Sequence, residues 1–306
     1  MSFSVTVIGS NSAIPAHGRH PSAQIVSIND RAYMIDCGEG SQMRFAEFGI
    51  KWMRVNQIFI SHLHGDHYFG LIGVLSTFHL MRRNRPLDIF SPPGLEAIIR
   101  LQLEVGQTEL NYPLLFHELD PKQGQQIYVN DDISVETVVL NHRIPCLGFI
   151  FREKQRQRKI IREKLEEYAI PVDLIPDIKA GKDILDEVTG ERILNCALTL
   201  DPLRPRSYAY CCDTAYSPEI VPVIQGVDLV YHDSTFSEES AQRASDTYHS
   251  TAMQAARIAF QAGAKKLMIG HYSSKYDNLL PLLQEAQQIF PNTVLAIEGN
   301  TYAIER

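Results

Sequence analysis

At 306 residues, 44% of them hydrophobic, the chain is long enough to bury a large core, and its composition excludes a disordered protein. The formal net charge of −7 argues against a protein that coats nucleic acid indiscriminately, because such binding depends on contacts from Lys and Arg to phosphates. The five cysteines are odd in number and lack Cys-x-x-Cys spacing, which argues against a disulfide framework and favours core packing.

No stretch approaches the roughly 18 consecutive apolar residues that span a bilayer. The first five residues also lack the basic region of a secretion signal. We therefore expect a cytoplasmic protein without a membrane partner.

Short β-type runs and helical patterns alternate along both halves of the chain. In the first half, strands are predicted at residues 5–8, 24–28, 31–35, 57–60 and 133–139, with a helix at 95–105. In the second half, strands are predicted at 207–212, 227–231, 266–269 and 294–297, with helices near 251–262 and 279–290. This alternation predicts an α/β fold built from two similar halves.

Residues 152–206 break the pattern. They open with a basic run, are predicted to continue as an amphipathic helix through Leu165, and then become rich in Pro, Gly and Asp. Residues 152–164 carry seven basic side chains against two acidic ones. We interpret 152–206 as an insertion that projects from a single domain covering residues 1–306.

The most informative motif is Ser-His-Leu-His-Gly-Asp-His at residues 61–67. Alternate side chains of an extended segment point the same way, so His62 and His64 can reach one metal ion together. Asp66 and His67 are adjacent and need a turn, which Gly65 permits, to reach a second site some ~3.5–4 Å away, as in two-metal hydrolases. A polar loop rich in histidine is the alternative, but clustering titratable groups without a partner is costly.

Ligand-type residues also follow the ends of several predicted strands. The examples are His62, His142, Asp213 and His271. These strand ends are expected to converge on one edge, as when a layered α/β scaffold builds a site from distant segments. Taken singly, His142 or His271 is more typical of a structural histidine than of a ligand.

With these motifs in place, the sequence resembles the metallo-β-lactamase superfamily and, within it, the short bacterial form of ribonuclease Z, a tRNA 3′-processing endonuclease. The resemblance runs over essentially the whole chain. Besides the histidine motif it rests on residues 9–22, 91–95, 141–149, 212–214, 232–236, 249–251 and 271–276. It implies an α/β fold, the metallo-β-lactamase αββα sandwich, with a projecting arm inserted in the second half.

The resemblance also implies two Zn²⁺ ions per chain, although Mn²⁺ or Fe²⁺ suits the same nitrogen and oxygen ligands. The implied ligands are His62, His64 and His142 for the first ion, Asp66, His67 and His271 for the second, and Asp213 as the bridge between them.

The implied reaction removes the 3′ trailer from precursor tRNA and leaves a 3′-hydroxyl on the tRNA and a 5′-phosphate on the trailer. In this interpretation Asp66 accepts a proton from the attacking water, and His249 protonates the leaving oxygen while Asp233 orients its ring. The family usually has Glu at the orienting position, so Asp233 is a shorter replacement. A structural alternative for His249 is a residue at a helix entry.

The basic segment lies where the family has a flexible arm that grips the tRNA elbow, and the family works as a homodimer. Candidate substrate-binding residues are Arg152, Lys154, Arg156, Arg158 and Lys159. Such contacts to the RNA backbone position a substrate by shape. The simpler alternative is a solvated helix face.

Two other functions are weighed against this one. A hydrolase of a small phosphodiester or thioester would keep the fold and the metals, but the basic insertion disfavours it. An RNA-binding relative without metals would be expected to lack several ligands, whereas all seven ligand positions are filled here.

Overall fold

The structure is a computed structural model that describes residues 2–185 and 190–306. It contains two compact units. The larger unit runs up to Arg152 and resumes from Arg206 to Glu305, and the smaller unit comprises Glu153–Pro205 with Arg306.

Two seven-stranded sheets form the larger unit, as far as the described residues show. The strands of the first sheet are β1 (Phe3–Gly9), β2 (Ala23–Ile28), β3 (Arg31–Ile35), β4 (Val55–Phe59), β5 (Leu87–Ser91), β6 (Leu114–Glu118) and β18 (Thr301–Ala303). Their order is β18-β1-β2-β3-β4-β5-β6, and β3 to β6 run parallel.

The second sheet has a similar construction. Its strands are β7 (Gln126–Val129), β8 (Ile133–Leu140), β9 (Cys146–Glu153), β14 (Ser207–Cys211), β15 (Leu229–Asp233), β16 (Lys266–Gly270) and β17 (Thr293–Leu295). Their order is β17-β16-β15-β14-β9-β8-β7, and β14 to β17 run parallel. The two similar halves predicted from the sequence thus correspond to two sheets with comparable parallel segments.

Helices cover the outer face of each sheet. They are α1 (Ser41–Glu47), α2 (Gly65–Tyr68), α3 (Leu71–Leu80) and α4 (Leu95–Val105) in the first half, and α8 (Ala241–Asp246), α9 (Ala252–Gln261) and α10 (Leu280–Ile289) in the second. Short 3₁₀ turns lie at Trp52–Arg54, Pro218–Ile220 and Glu238–Ser240. Helix α9 begins with a capping box between Thr251 and Gln254, which satisfies two backbone N–H groups that the first turn leaves open.

Three apolar clusters hold these layers together. The central cluster joins the facing sides of both sheets, where Phe59 packs against Phe149 with ring centroids 5.5 Å apart. A second cluster packs the first sheet against α1, α3 and α4, and a third packs the second sheet against α9 and α10. Burying each large apolar side chain contributes roughly 1.5–3 kcal/mol, so the helix-sheet-sheet-helix order follows from the apolar faces of the elements.

The smaller unit has its own core of Ile178, Ile184, Ile193 and Leu198. Around it lie the paired strands β10 (Lys159–Ile160) with β13 (Thr199–Leu200) and β11 (Ile184–Leu185) with β12 (Arg192–Ile193), the helices α5 (Arg162–Glu167), α6 (Ile175–Lys179) and α7 (Asn195–Leu198), and a 3₁₀ turn at Val172–Leu174.

The amphipathic helix predicted to follow the basic run and to continue through Leu165 corresponds to α5, and the basic run before it is not helical. Arg152 and Glu153 end strand β9, where Arg152 pairs with Ser207 of β14, and α5 begins only at Arg162. The sheet ladder that starts in the buried part of β9 continues into the charged residues and outweighs their helix propensity.

Two smaller expectations have mixed outcomes. Core packing was predicted for the cysteines, and four of them are buried, but Cys196 is exposed. Among the described helices, none combines the length and the apolar character needed to cross a bilayer.

Candidate metal centre

Three imidazoles and one carboxylate meet beyond the carboxyl ends of β4, β8 and β14. His62 Nε2 lies 3.0 Å from His64 Nδ1, and His142 Nε2 lies 3.1 Å from the same atom. Asp213 Oδ2 is 3.6 Å from His62 Nε2 and 3.7 Å from His142 Nε2. The four ligand atoms lie within 4.8 Å of one another, so one metal ion can reach all of them.

A second group lies on the other side of the same carboxylate. Asp213 Oδ1 is 3.2 Å from His67 Nε2 and 3.1 Å from His271 Nε2. Asp66 Oδ2 is 3.5 Å from His67 Nε2 and 3.7 Å from His271 Nε2. Asp213 therefore turns one oxygen towards each group. The structure brings together all seven side chains that the sequence analysis selected as ligands.

The backbone at this edge of the sheets is strained. Asp36 after β3, Asp213 after β14 and His271 after β16 have φ of 53°, 60° and 61°, a left-handed conformation that only glycine adopts without cost. Each such residue costs on the order of 1–3 kcal/mol, and residues of this kind persist where the surrounding structure holds them in place. Three strands thus end in left-handed residues of this kind, and the polar side chains of these residues lie in the ligand cluster or, for Asp36, directly behind it.

Gly65 has a different role from the one expected. It is the first residue of α2, and its φ is not among the positive values. A Cβ atom at this position would lie 2.1 Å from the ring of Phe69. A larger residue here would therefore require the exposed ring of Phe69 to move, while the short helix α2 separates Asp66 and His67 from the first pair of histidines.

The carboxylate of Asp36 holds the first half of the cluster from behind. Its Oδ2 accepts hydrogen bonds from His67 Nδ1 at 2.7 Å, from the Ser61 hydroxyl at 2.9 Å and from the Tyr210 hydroxyl at 2.7 Å. Its Oδ1 accepts one from the Ser61 backbone N–H at 2.8 Å. Asp36 thereby fixes the ring of His67 with Nε2 directed at the cluster.

The carboxylate of Asp233 has the corresponding place in the second half. Its Oδ2 accepts hydrogen bonds from His249 Nδ1 at 2.7 Å and from the Thr214 backbone N–H at 3.1 Å. Its Oδ1 accepts two from Thr235, from the backbone N–H at 2.9 Å and from the hydroxyl at 2.7 Å. Asp233 is fully buried, whereas the side chain of His249 is 16% exposed, so the pair leads from the core to the cleft.

Burial and neighbouring charges set the protonation of these groups. Burial lowers the pKa of His64 and His142 and brings that of His62 well below its usual value, so all three rings are neutral at pH 7. Burial favours protonation of Asp213, but the imidazoles of His271 and His67 on its other side outweigh this and hold its pKa well below the usual range. Burial lowers the pKa of His249, but the carboxylate of Asp233 outweighs this and raises it to about 9.

A cleft of about 570 Å³ opens over the cluster. The loop 12–15, His249 and Arg143 line it together with the ligand candidates. The backbone N–H of Ala13 donates to Asp66 Oδ2 at 2.8 Å, which fixes the carboxylate oxygen that faces His67 and His271. Arg143 lies 3.4 Å from His64 Nε2 and presents a guanidinium to the cleft.

The candidate substrate-binding residues have varied surroundings. Arg152 is part of β9 and donates to Glu136 and to the Val223 carbonyl. Arg158 donates to Thr199 and pairs with Asp201. The three others, Lys154, Arg156 and Lys159, are exposed.

Comparison with known proteins identifies the family. A family model described as anti-Pycsar protein Apyc1 matches residues 3–161, so this half of the chain belongs to that sequence family. A ribonuclease Z from Bacteroides fragilis is 46% identical over 297 residues, which are 97% of this chain and 97% of that protein. The chain belongs to the ribonuclease Z family. Members of this family are endoribonucleases, which are hydrolases, so the chain is an endoribonuclease.

Solved structures confirm the predicted fold. The short form of human tRNase Z matches with a TM-score of 0.73 at 24% identity and covers 99% of this chain and 100% of that one. The metallo-beta-lactamase fold protein YhfI from Bacillus subtilis matches with a TM-score of 0.68 at 18% identity and covers 99% and 100%. The family, the αββα fold and the enzyme class predicted from the sequence are thus confirmed.

In this ribonuclease Z family member the cluster is a divalent-metal site, and the residues present fit an ion. The Nε2 atoms of His67 and His271 are buried and make no hydrogen bond within the described residues. Leaving a buried polar atom without a partner costs free energy. A metal ion coordinated by these imidazole and carboxylate atoms would give each of them a partner.

Sequence reasoning missed several residues that support the site of this ribonuclease Z family member. Asp36 follows a predicted strand, as the ligands do, so the same strand-end rule applied to residues 31–35 would have found it. Tyr210 lies inside the buried strand β14, where nothing in the sequence distinguishes it from a core aromatic residue. Arg143 was noticed only as part of a motif.

Proposed function

We propose that this member of the ribonuclease Z family, a tRNA 3′-processing endoribonuclease, works with two Zn²⁺ ions and removes the 3′ trailer from precursor tRNA. The proposed products are a 3′-hydroxyl on the tRNA and a 5′-phosphate on the trailer. The observation that carries the proposal is the position of Asp213, whose two carboxylate oxygens face two separate groups of ligand atoms.

The seven side chains would divide between two ions. The first would be held by His62, His64 and His142, the second by Asp66, His67 and His271, and Asp213 would serve both. When bound, such ions lower the pKa of water and stabilise the charge that develops on the phosphate.

The chain's own residues supply the proton transfers. Asp66 faces the cleft with an oxygen already positioned by the Ala13 N–H, so it can accept the proton of the attacking water. His249 also lines the cleft, and Asp233 accepts from its Nδ1, which leaves Nε2 to donate to the departing ribose 3′-oxygen. General acid catalysis of such a step is typically worth 10²–10⁴-fold.

The experiment that tests this function is release of the 3′ trailer from a precursor tRNA, with the end groups of both products analysed. We expect cleavage by the Zn²⁺-loaded protein, its loss on treatment with a chelator and its return when Zn²⁺ is added back. Hydrolysis of bis(p-nitrophenyl) phosphate without any cleavage of precursor tRNA would favour the small-phosphodiester alternative instead.

We propose further that Lys154, Arg156 and Lys159 contact tRNA phosphates. Replacing all three with Ala should weaken binding of precursor tRNA. It should also lower the magnitude of the slope of log binding constant against log salt concentration by up to about 2, because each lost phosphate contact removes about 0.7. Hydrolysis of bis(p-nitrophenyl) phosphate should be unchanged.

A matched control for these charges is available in the larger unit. Replacing the exposed Lys51, Arg85 and Lys122 with Ala removes the same charge. Equal weakening of RNA binding by the two triple variants would show that only net charge matters. The homodimer and the cytoplasmic location remain predictions, and light scattering of the purified protein tests the first of them.

A further inference from the structure

Thr235 lies between a metal-ligand candidate and a buried carboxylate. Its hydroxyl oxygen is 2.9 Å from His271 Nδ1 and 2.7 Å from Asp233 Oδ1. All three side chains are almost completely buried. His271 Nδ1 is 4.0 Å from Asp233 Oδ2, which is beyond hydrogen-bond reach, so the Thr235 hydroxyl bridges the two side chains.

The chemistry of the three groups determines which atom carries each proton. An ionised carboxylate only accepts hydrogen bonds, so the short contact requires the Thr235 hydroxyl to donate to Asp233. The hydroxyl has a single proton, and its oxygen can then only accept from His271. His271 must therefore carry a proton on Nδ1, and this contact holds the ring with Nε2 facing Asp66 and Asp213.

We propose that Thr235 is a positioning residue that orients the ring of His271 by accepting from its Nδ1–H, and that joins this ring to the carboxylate that also orients His249. The importance of this arrangement for catalysis rests on the proposed function, in which Nε2 of His271 is a metal ligand. Thr235 holds the Asp233 carboxylate with both its backbone N–H and its hydroxyl, so the ligand and the candidate acid share one rigid support. Groups that orient a ligating histidine in this way typically account for 10–100-fold in metal affinity or activity.

The direct test is the proton on His271 Nδ1 in chelator-treated protein, detected by its one-bond N–H coupling and its protection from solvent exchange in ¹⁵N-labelled histidine. We expect a protected Nδ1–H in the wild-type protein and in Thr235→Ser, and loss of that protection in Thr235→Val. A wild-type His271 without a proton on Nδ1 would overturn the proposal without reference to any variant.

A second readout is the affinity for Zn²⁺ alone, measured calorimetrically. Thr235→Val should bind one of two ions 10–100-fold more weakly, whereas Thr235→Ser should keep the wild-type affinity. Thr293→Val is the matched control, because it removes another buried hydroxyl, one that donates to the Phe290 carbonyl. Equal losses of affinity in Thr235→Val and Thr293→Val, or none in either, would contradict the proposal.

These measurements separate the two proposals. A wild-type protein that binds Zn²⁺ but leaves precursor tRNA intact would refute the proposed function, while the proton on His271 Nδ1, observed without metal or RNA, would still decide the role of Thr235. If Thr235→Val does not fold, the wild-type Nδ1–H and the Thr235→Ser affinity decide it.

Discussion

Asp36 and Asp233 support opposite halves of the metal centre by the same construction. Each is a buried carboxylate that accepts one imidazole Nδ1–H directly, from His67 and from His249 respectively, at 2.7 Å. Each also accepts a hydroxyl that in turn contacts a second histidine. Each sheet therefore provides a buried carboxylate that holds histidines of the metal centre.

The hydroxyl contacts differ little in geometry. Ser61 Oγ lies 3.0 Å from His62 Nδ1 in the first half, and Thr235 Oγ1 lies 2.9 Å from His271 Nδ1 in the second. In both halves the ring presents Nε2 to the cluster. A neutral hydroxyl thus orients one ligand in each half.

The difference between the halves lies in the imidazole that each carboxylate holds directly. Asp36 holds a ligand candidate, whereas Asp233 holds the candidate acid and reaches its ligand only through Thr235. Asp36 also accepts the Tyr210 hydroxyl from the facing sheet. In the proposed function, Asp36 therefore serves metal binding and the packing of the two sheets, whereas Asp233 serves metal binding and turnover.

The largest effect should come from His249, the imidazole that Asp233 holds directly. Replacing His249 with Ala should lower single-turnover cleavage of precursor tRNA by about 10²–10⁴-fold, because the leaving oxygen loses its proton donor. Metal content, measured by mass spectrometry, should not change, since the ligand groups stay complete. His117→Ala, at a histidine that pairs with Asp88 on the first sheet, serves as the control. An unchanged cleavage rate in His249→Ala would remove this residue from the mechanism.

Removal of the Asp36 carboxylate should lower the free energy of unfolding as well as the affinity for metal. Asp36→Ala leaves the buried donors of His67, Ser61 and Tyr210 without their acceptor, and the loss of one partner from such a buried network costs about 3–5 kcal/mol. Urea unfolding of the chelator-treated protein measures this loss. Asp30→Ala, at an exposed carboxylate, should stay within about 0.5 kcal/mol of wild type. Similar values for the two variants would show that the support is not structural.

Tyr210→Phe tests the connection between the sheets. It removes one hydrogen bond to a buried carboxylate, worth about 1.5–3 kcal/mol, while His67 and Ser61 still satisfy Asp36. The free energy of unfolding should fall by that amount and Zn²⁺ stoichiometry should be unchanged. A loss of bound metal in this variant would mean that Tyr210 also positions a ligand.

The smallest effect is expected for the Ser61 hydroxyl, which contacts His62 Nδ1. Ser61→Ala should weaken binding of one Zn²⁺ ion by about tenfold, at the lower end of the range for such supports, because Asp36 still holds His67 directly. Calorimetric titration beside Thr235→Val compares the two halves. A larger loss in Ser61→Ala than in Thr235→Val would reverse the ranking proposed here.

The prediction from sequence was most successful where chemistry is encoded locally. The spacing of His62 and His64 in an extended segment was enough to place both rings in one group of ligand atoms, and the ends of apolar runs located His142, Asp213 and His271 beside it. It did not show that Arg152 and Glu153, at the start of the basic run, complete strand β9. There, pairing with β14 decided the conformation, and no local pattern shows that pairing.

The sequence by itself determined the fold class, the family and the set of candidate ligands, because metal-binding residue types at the ends of β-type runs are a pattern that can be read along the chain. Only the tertiary structure decided how those ligands are supported. Asp36 and Tyr210 are separated by 174 residues, and His271 and Thr235 by 36. Carboxylates and hydroxyls are common, and only the register of the sheets and the left-handed turns at the strand ends determine which of them meet a histidine.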